Sequence, residues 1–390
     1  MDFSFSAEQH RLVKRAREFG RTYLTEDNIR LWCNDQGIPD EVSRAYLDAG
    51  LGYVGIPEKL GGTSDSITQQ GLIIEELTRI AGASLPFQSQ AITLELVGEM
   101  GNADQVALAN KLFQSTGSTG FSLAMSEPTA GSDTFGLKTT VTEQDGELYL
   151  DGRKTFVVNG EFLPYLLVVA RDGDISESDN LSLWLIPLGS EGVSTIHMTK
   201  VGQEMNPFCM VDFNHVHVDP SQLVGSRGEG SKRLLRCFEM GRCIVCAASV
   251  GLARAALADA ARYAQQRTSF GKPISDYQQV GAMLTDMEVK VRTMRLLLYQ
   301  TLSEFDAGKP GSRLSTALLK RYVPRAATEV ASDALQIFGG IGYTDVTRVS
   351  RIWRDCRGNQ IAEGTDEVMV RIATKRVIGQ YLADDPAIDL

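Results

Sequence analysis

Phe121-Ser122-Leu123-Ala124-Met125-Ser126-Glu127-Pro128-Thr129-Ala130-Gly131-Ser132-Asp133 is where the chain changes its period. Upstream, apolar residues recur at helical spacing. From Phe121 they alternate at every second position, as a half-buried strand requires. Further short alternating runs follow at 139–141, 148–150, 154–158, 166–170, 181–186, 194–197 and 211–218. Asp145-Gly146, between two of them, is a hairpin turn pair. Strands this dense, with no helical pattern between them, predict an antiparallel barrel or sandwich rather than a βαβ array.

Outward from this segment, residues 1–118 read as helical. Ser6-Ala7-Glu8-Gln9 is a capping-box pattern that opens a helix through Arg17 and beyond. Helical spacing returns at 41–49, 71–80 and 105–113, punctuated by Gly61-Gly62 and Pro86. Beyond Ser231 long helical stretches run over about 231–266, 276–306, 312–338 and 365–383, with a break at Gly308-Lys309-Pro310-Gly311. Four long, alanine-rich helices predict a bundle. The expected organisation is multidomain: an all-helical domain at 1–118, a β-domain at 119–230 and a helical bundle at 231–390. A length of 390 residues accommodates that number of cores.

A net charge of −10 argues against nucleic acid or an anionic membrane as the main partner, because both select basic surface. Met1-Asp2-Phe3-Ser4-Phe5-Ser6 has neither the basic nor the apolar region of a signal peptide, and no apolar run reaches the roughly 20 residues that span a bilayer. The cytoplasm is the expected location. Six scattered cysteines suit reduced thiols. Cys243-x-x-Cys246 is half a zinc site with no second pair, so packing on a helix face is expected. His215-x-His217 points two rings to one side of a strand without a third ligand, and no metal is expected. No Gly-x-Gly-x-x-Gly joins a strand to a helix, which disfavours a nicotinamide site. Gly225-Ser226-Arg227-Gly228-Glu229-Gly230-Ser231-Lys232 is superficially a phosphate loop, but its Lys is misplaced and a hinge is the better reading.

Four segments carry candidate chemistry. In Ile361-Ala362-Glu363-Gly364-Thr365-Asp366-Glu367, a short loop presents Glu363 to a ligand, unless it is an ordinary exposed acid. In 126–133, small residues admit a ligand close to the backbone and Ser132 can donate to a phosphate; a structural turn explains the composition equally. In Arg267-Thr268-Ser269-Phe270-Gly271-Lys272-Pro273, Arg267 can pair with a pyrophosphate and Phe270 offers an aromatic face, or the segment is an interhelical loop. In Gln336-Ile337-Phe338-Gly339-Gly340-Ile341-Gly342-Tyr343-Thr344, three glycines within four residues suit backbone packed against a flat or phosphate-bearing ligand, although glycine also ends helices.

Together, in this order and on this helix–sheet–helix plan, the segments resemble the acyl-CoA dehydrogenase family of flavoproteins. Residues 121–133, 267–274, 335–344 and 363–367 carry the resemblance, which extends over essentially the whole chain. It implies FAD between the β-domain and the bundle, with the main chain of Met125 and Ser126 at the flavin ring, Gly131 and Ser132 toward the pyrophosphate, and Phe156 and Val158 beside the ring. It implies that Arg267, Phe270, Gln336, Gly339 and Gly340 approach the FAD of a neighbouring subunit in a homotetramer. Thr365 and Glu367 match positions at the adenosine and diphosphate portion. On the acyl-CoA side it implies Ser132, Arg242, Ala362 and Gly364.

The chemistry the resemblance implies is α,β-dehydrogenation of an acyl-CoA. Glu363 matches the base that takes the α-proton, its backbone N–H and a ribityl hydroxyl polarise the thioester carbonyl, and a hydride leaves for flavin N5. The product is a trans-2-enoyl-CoA, the electrons pass to an electron-transferring flavoprotein, and burial should raise the pKa of Glu363. Some members place the base just before the position of Arg242; here that residue is Gly241, so Glu363 has no rival there. This chain departs from common family residues at Ala362 (tyrosine), Val158 (threonine), Phe156 (tryptophan) and Ser126 (threonine). Ile352-Trp353-Arg354-Asp355 and Gly364-Thr365-Asp366-Glu367 are similar to an enoyl-CoA reductase branch, which would run the same chemistry in reverse. A flavin-binding homologue without catalysis is a further alternative.

Overall fold

The computed structural model describes residues 4–63, 66–88, 90–117, 120–173, 180–309 and 312–382. The first helix, α1 (Ala7–Tyr23), opens on the expected capping box: the Ser6 hydroxyl accepts the Gln9 N–H at 3.2 Å, and the Gln9 side-chain carbonyl accepts the Ser6 N–H at 2.9 Å. Helices α2 (Glu26–Asn34), α3 (Asp40–Asp48), α4 (Ile67–Ala81), α5 (Gln90–Met100) and α6 (Ala103–Thr116) follow. The strands are β1 (Phe121–Ala124), β2 (Thr140–Gln144), β3 (Glu147–Val158), β4 (Tyr165–Asp172), β5 (Leu181–Pro187), β6 (Val193–Met198), β7 (Phe208–Val218) and β8 (Leu223–Val224). Then come α7 (Gly230–Gln266), the short strands β9 (Thr268–Ser269) and β10 (Lys272–Pro273), α8 (Gln278–Asp306), α9 (Ser312–Phe338), α10 (Val349–Ile361) and α11 (Asp366–Leu382). Helices, a middle sheet and helices again are the predicted order. By packing, the chain divides into a first unit of Met1–Ile29, Ser66–Leu85 and Glu239–Leu390 and a second of Arg30–Asp65 and Pro86–Phe238.

In the second unit, eight strands form one sheet in the order β6-β7-β3-β2-β4-β5-β8, with β1 also on β4. Asp145 (φ 54) and Gly146 (φ 85) both take the left-handed backbone of a two-residue hairpin turn, setting Gln144 opposite Glu147. The runs expected at 148–150 and 154–158 prove to be one strand. Register shifts at Leu150/Gly152 and Lys154/Val157 bend β3 without ending it. The sheet is mixed rather than wholly antiparallel, because β1 and β2 pair with β4 in parallel. The β2–β3 hairpin intervenes between β1 and β4 and supplies the long connection a parallel pair needs. Residues 166–170 of β4 are all buried, so this strand is apolar on both faces.

In the first unit α9 packs against α8, α10 and α11, while α4 packs against α1 and α8. The buried Glu75 of α4 accepts from Arg254 Nη1 at 2.5 Å, from Arg295 Nε at 2.8 Å and from the Tyr299 hydroxyl. A carboxylate at that depth is tolerated only with such partners. Asp306, the last residue of α8, accepts the Ile67 and Thr68 N–H groups at 2.8 and 3.2 Å and so caps α4. The stretch Arg233–Gln266 is apolar enough by composition to cross a membrane, but 72% of its most apolar window is buried, as in an interior helix.

The segment α10 adds a fifth helix to the four expected after residue 231. Its buried side includes Arg351, Asp355 and Asn359 beside Val349, Ile352 and Cys356, which breaks the apolar period that signals a helix. Pro310 and Gly311 of the expected break lie outside the described residues. At Gly251, α7 closely approaches α4: a Cβ there would lie 1.9 Å from Thr78 Oγ1 and 2.4 Å from the Glu75 carbonyl oxygen. Gly251→Ala is therefore expected to cost about 1–3 kcal/mol of stability. The urea midpoint of the purified variant measures this, and an unchanged midpoint would mean the two helices part freely.

Candidate active site

In the second unit, Met125 and Ser126 continue from β1 alongside β3. Thr155 N donates to Ser126 O at 2.8 Å, and Lys154 Nζ donates to Met125 O at 2.9 Å. Lys154 is 0% exposed and Glu127 5%, and their ion pair closes at 2.8 Å. Glu127 also accepts the N–H groups of Lys138 and Thr139 at 2.7 and 2.9 Å. Burial pushes the Lys154 ammonium down to about 8 against the pull of Glu127. For Glu127, burial acts upward, but bonds from Lys154, Thr139 and Lys138 outweigh it and hold the carboxyl below its ordinary range. The segment 125–127 is thus fastened at its backbone by groups that no local motif announced.

Glu127 and Ala130 exchange backbone hydrogen bonds at 3.0 and 3.1 Å, and the exposed Gly131 and Ser132 follow that turn. The bulge in β3 turns Phe156 outward, with φ 57 and 55% exposure, while Val158 stands opposite Phe208. Met125, Ser126, Phe156 and Val158 therefore lie on adjoining backbone of one unit.

In the first unit, the loop between α10 and α11 holds Glu363 at φ 56 and Gly364 at φ 98. The left-handed place after a helix is usually taken by glycine, and a larger residue there costs on the order of 1–3 kcal/mol unless its surroundings fix it. Here they do. Arg242 Nε donates to Glu363 O at 3.2 Å. The buried Lys320 Nζ donates to Gln360 O at 3.3 Å and Gly364 O at 3.0 Å. Asp366 accepts from Arg321 Nη1 at 2.8 Å and Gln360 Nε2 at 2.7 Å. Glu363 Oε2 is sealed from solvent and has no hydrogen-bond partner among the described residues. Burial raises the Glu363 carboxyl, with Arg242 and Lys320 pulling it back in part. Burial likewise lowers the Arg242 pKa against the opposing charges of Glu363 and Glu239. Ala362 is exposed beside this loop; Thr365 Oγ1 accepts the Val368 N–H at 3.4 Å, and Glu367 is exposed in the first turn of α11.

The remaining predicted residues gather at the C-terminal ends of α7 and α9. Tyr263 and Phe338 stack there at 4.3 Å and 15°, within a turn of Arg267 and of Gln336, Gly339 and Gly340. Phe270 tips the β9–β10 hairpin at φ 49 and is 96% exposed. A Cβ on Gly339 or Gly340 would meet nothing within 4 Å, so the backbone is open on that side.

Sequence reasoning missed Lys320, Lys154 and Asp366. For Lys320 a signal existed: it falls at helical spacing with the buried Thr316, Ala317, Val323 and Ala327, and so on the inward stripe of α9. The weaker motifs resolve as ordinary structure. Cys243 and Cys246 are buried in α7. His215 stacks on Tyr149 at 3.9 Å, and His217 pairs with Glu147 at 2.8 Å. Arg227 pairs with Asp172, and Gly228 N donates to Ser182 Oγ at 2.9 Å, pinning the 225–232 segment to the strands. Among the described residues no group of His, Cys, Asp and Glu is arranged to hold a metal ion.

Residues 6–108, 122–216 and 228–378 match the N-terminal, middle and C-terminal domains of acyl-CoA dehydrogenase. The chain belongs to the acyl-CoA dehydrogenase family. It is 37% identical over 383 residues to the probable acyl-CoA dehydrogenase YdiO of Escherichia coli (strain K12), covering 98% of this chain and 99% of that one. A solved acyl-CoA dehydrogenase from Slackia heliotrinireducens superposes with a TM-score of 0.88 at 42% identity, covering 98% and 99% of the two chains. Butyryl-CoA dehydrogenase from Megasphaera elsdenii gives a TM-score of 0.87 at 28% identity, covering 97% and 100%. As an acyl-CoA dehydrogenase family member the chain is a flavin-dependent oxidoreductase, of a family that binds FAD.

Proposed function

We propose that the protein removes the α-proton of an acyl-CoA thioester with Glu363 as base and yields the trans-2-enoyl-CoA. The observation that carries this reading is the state of Glu363: left-handed backbone, one carboxylate oxygen buried with no partner among the described residues, its own carbonyl held by Arg242 and that of Gly364 by Lys320. Such an oxygen, itself sealed from solvent, has free accepting capacity, and burial raises its proton affinity toward that of a weakly acidic C–H. The Glu363 N–H would polarise the thioester carbonyl, where enolate charge develops. Arg242 would support the substrate side by holding the Glu363 carbonyl. Ser132, Ala362 and Gly364 would line the acyl-CoA path.

The fit to FAD rests on open backbone beside Gly131, Gly339 and Gly340 and on the outward rings of Phe156 and Phe270. Met125, Ser126, Gly131, Ser132, Phe156 and Val158 of the second unit would hold it. Thr365 and Glu367 match family positions at its adenosine and diphosphate portion. FAD, when bound, supplies the acceptor for the hydride lost from the β-carbon. Arg267, Phe270, Gln336, Gly339 and Gly340 would serve the FAD of an adjoining chain in a homotetramer; the exposed tip at Phe270 supports that part of the reading. An electron-transferring flavoprotein is the proposed electron acceptor and the cytoplasm the proposed location.

Anaerobic titration with short, branched, aromatic and long acyl-CoAs tests the proposal. At least one is expected to bleach the yellow protein and appear as its trans-2-enoyl ester. A FAD-loaded protein bleached by none of them would end this reading.

A further inference from the structure

Lys320 is fully buried on α9, where an ammonium is unfavourable unless its protons are taken up. Two are, by the carbonyls of Gln360 at 3.3 Å and Gly364 at 3.0 Å, one on each side of Glu363. Gln360 lies in the last turn of α10, whose carbonyls lack helical partners and carry the negative end of the helix dipole. Between these two anchors the chain passes through the unfavourable left-handed geometry of Glu363.

We infer that Lys320 is a positioning residue for the base: by spanning the carbonyls of Gln360 and Gly364 it fixes the backbone of Glu363 and sets where its carboxylate stands. It also places a positive charge near that carboxylate, which favours the ionised form needed of a base. Among the described residues, the other charged or titratable groups around the loop include Glu239, Arg242, Cys243 and Cys246 of α7, Arg313 and Arg321 of α9, Arg357 of α10, and Asp366 and Glu367 of α11. The inference rests on the reading of Glu363 as base.

Lys320→Met in the FAD-loaded protein is the test, with Glu363→Gln in parallel. Flavin reduction by acyl-CoA is expected to slow by about 10-fold or more, as for a displaced catalytic group. Its acid limb is expected to move to higher pH, since removal of a nearby positive charge raises a carboxyl pKa. Amide hydrogen exchange over 362–366, read without substrate, should quicken. A slower rate with an unmoved acid limb would make Lys320 merely structural and overturn the inference, as would wild-type rate and exchange. If Lys320→Met does not accumulate as folded protein, Lys320→Gln, which keeps a donor for one carbonyl, is expected to move the limb in the same direction; an unmoved limb there is equally decisive. A wild-type rate in Glu363→Gln would instead defeat the assignment of the base, leaving the exchange result to judge the anchoring of the loop.

Discussion

Glu363→Gln is expected to retain FAD and bind acyl-CoA while reducing its flavin at least ~100-fold more slowly, the lower end for loss of a general base. Glutamine keeps the volume of the side chain and leaves the carbonyl that Arg242 holds, so the loop has no reason to move. What disappears is an oxygen able to take a proton. The pH dependence should change with it. The raised carboxyl must lose its proton before it can act, so the unmodified protein should gain rate as pH rises through a midpoint above the ordinary glutamate range. That limb should be absent in the variant. Stopped-flow absorbance of the flavin across pH measures both, and a rate close to wild type would move the base to another residue.

Lys154→Met is expected to destabilise the second unit by about 3–5 kcal/mol, the usual penalty for removing one partner of a buried ion pair. Glu127 would remain 5% exposed, its charge met, among the described residues, by the N–H groups of Lys138 and Thr139. Glu127→Gln combined with Lys154→Met should recover part of the loss, because no buried charge is then stranded. FAD retention should fall further than stability alone accounts for, since Lys154 also holds the Met125 carbonyl at 2.9 Å. Urea unfolding of the three variants and their FAD content after dialysis give the comparison. A loss near zero for Lys154→Met would show that the pair contributes nothing to this part of the sheet.

The sequence was legible where the deciding residues are neighbours. Ser6 with Gln9 and Asp145 with Gly146 each specify a local geometry, and both geometries are found. Glu363 stood out by its place before Gly364-Thr365. What holds it there did not, because Lys320 finds its carbonyls 40 and 44 residues away. Lys154 likewise meets Glu127 across 27 residues. The same limit split β3 in two: 151–153 interrupt the apolar alternation, and only pairing with β7 carries the strand through. In α10 the inward Arg351 is occupied by Glu26, a partner no periodicity can supply.

The assembly of the first unit from three separated stretches has a consequence for synthesis. A ribosome emits the second unit whole once residue 238 has passed, but α1 and α4 emerge long before α7 and α8 exist. At translation rates of about 5–20 residues per second, the remaining chain to residue 390 takes roughly 8–30 s. Early in that interval Glu75 still lacks Arg254 and Arg295, and the start of α4 lacks its cap until Asp306 is made. The buried residues of α4 thus meet α8 only after the whole of the second unit has been made.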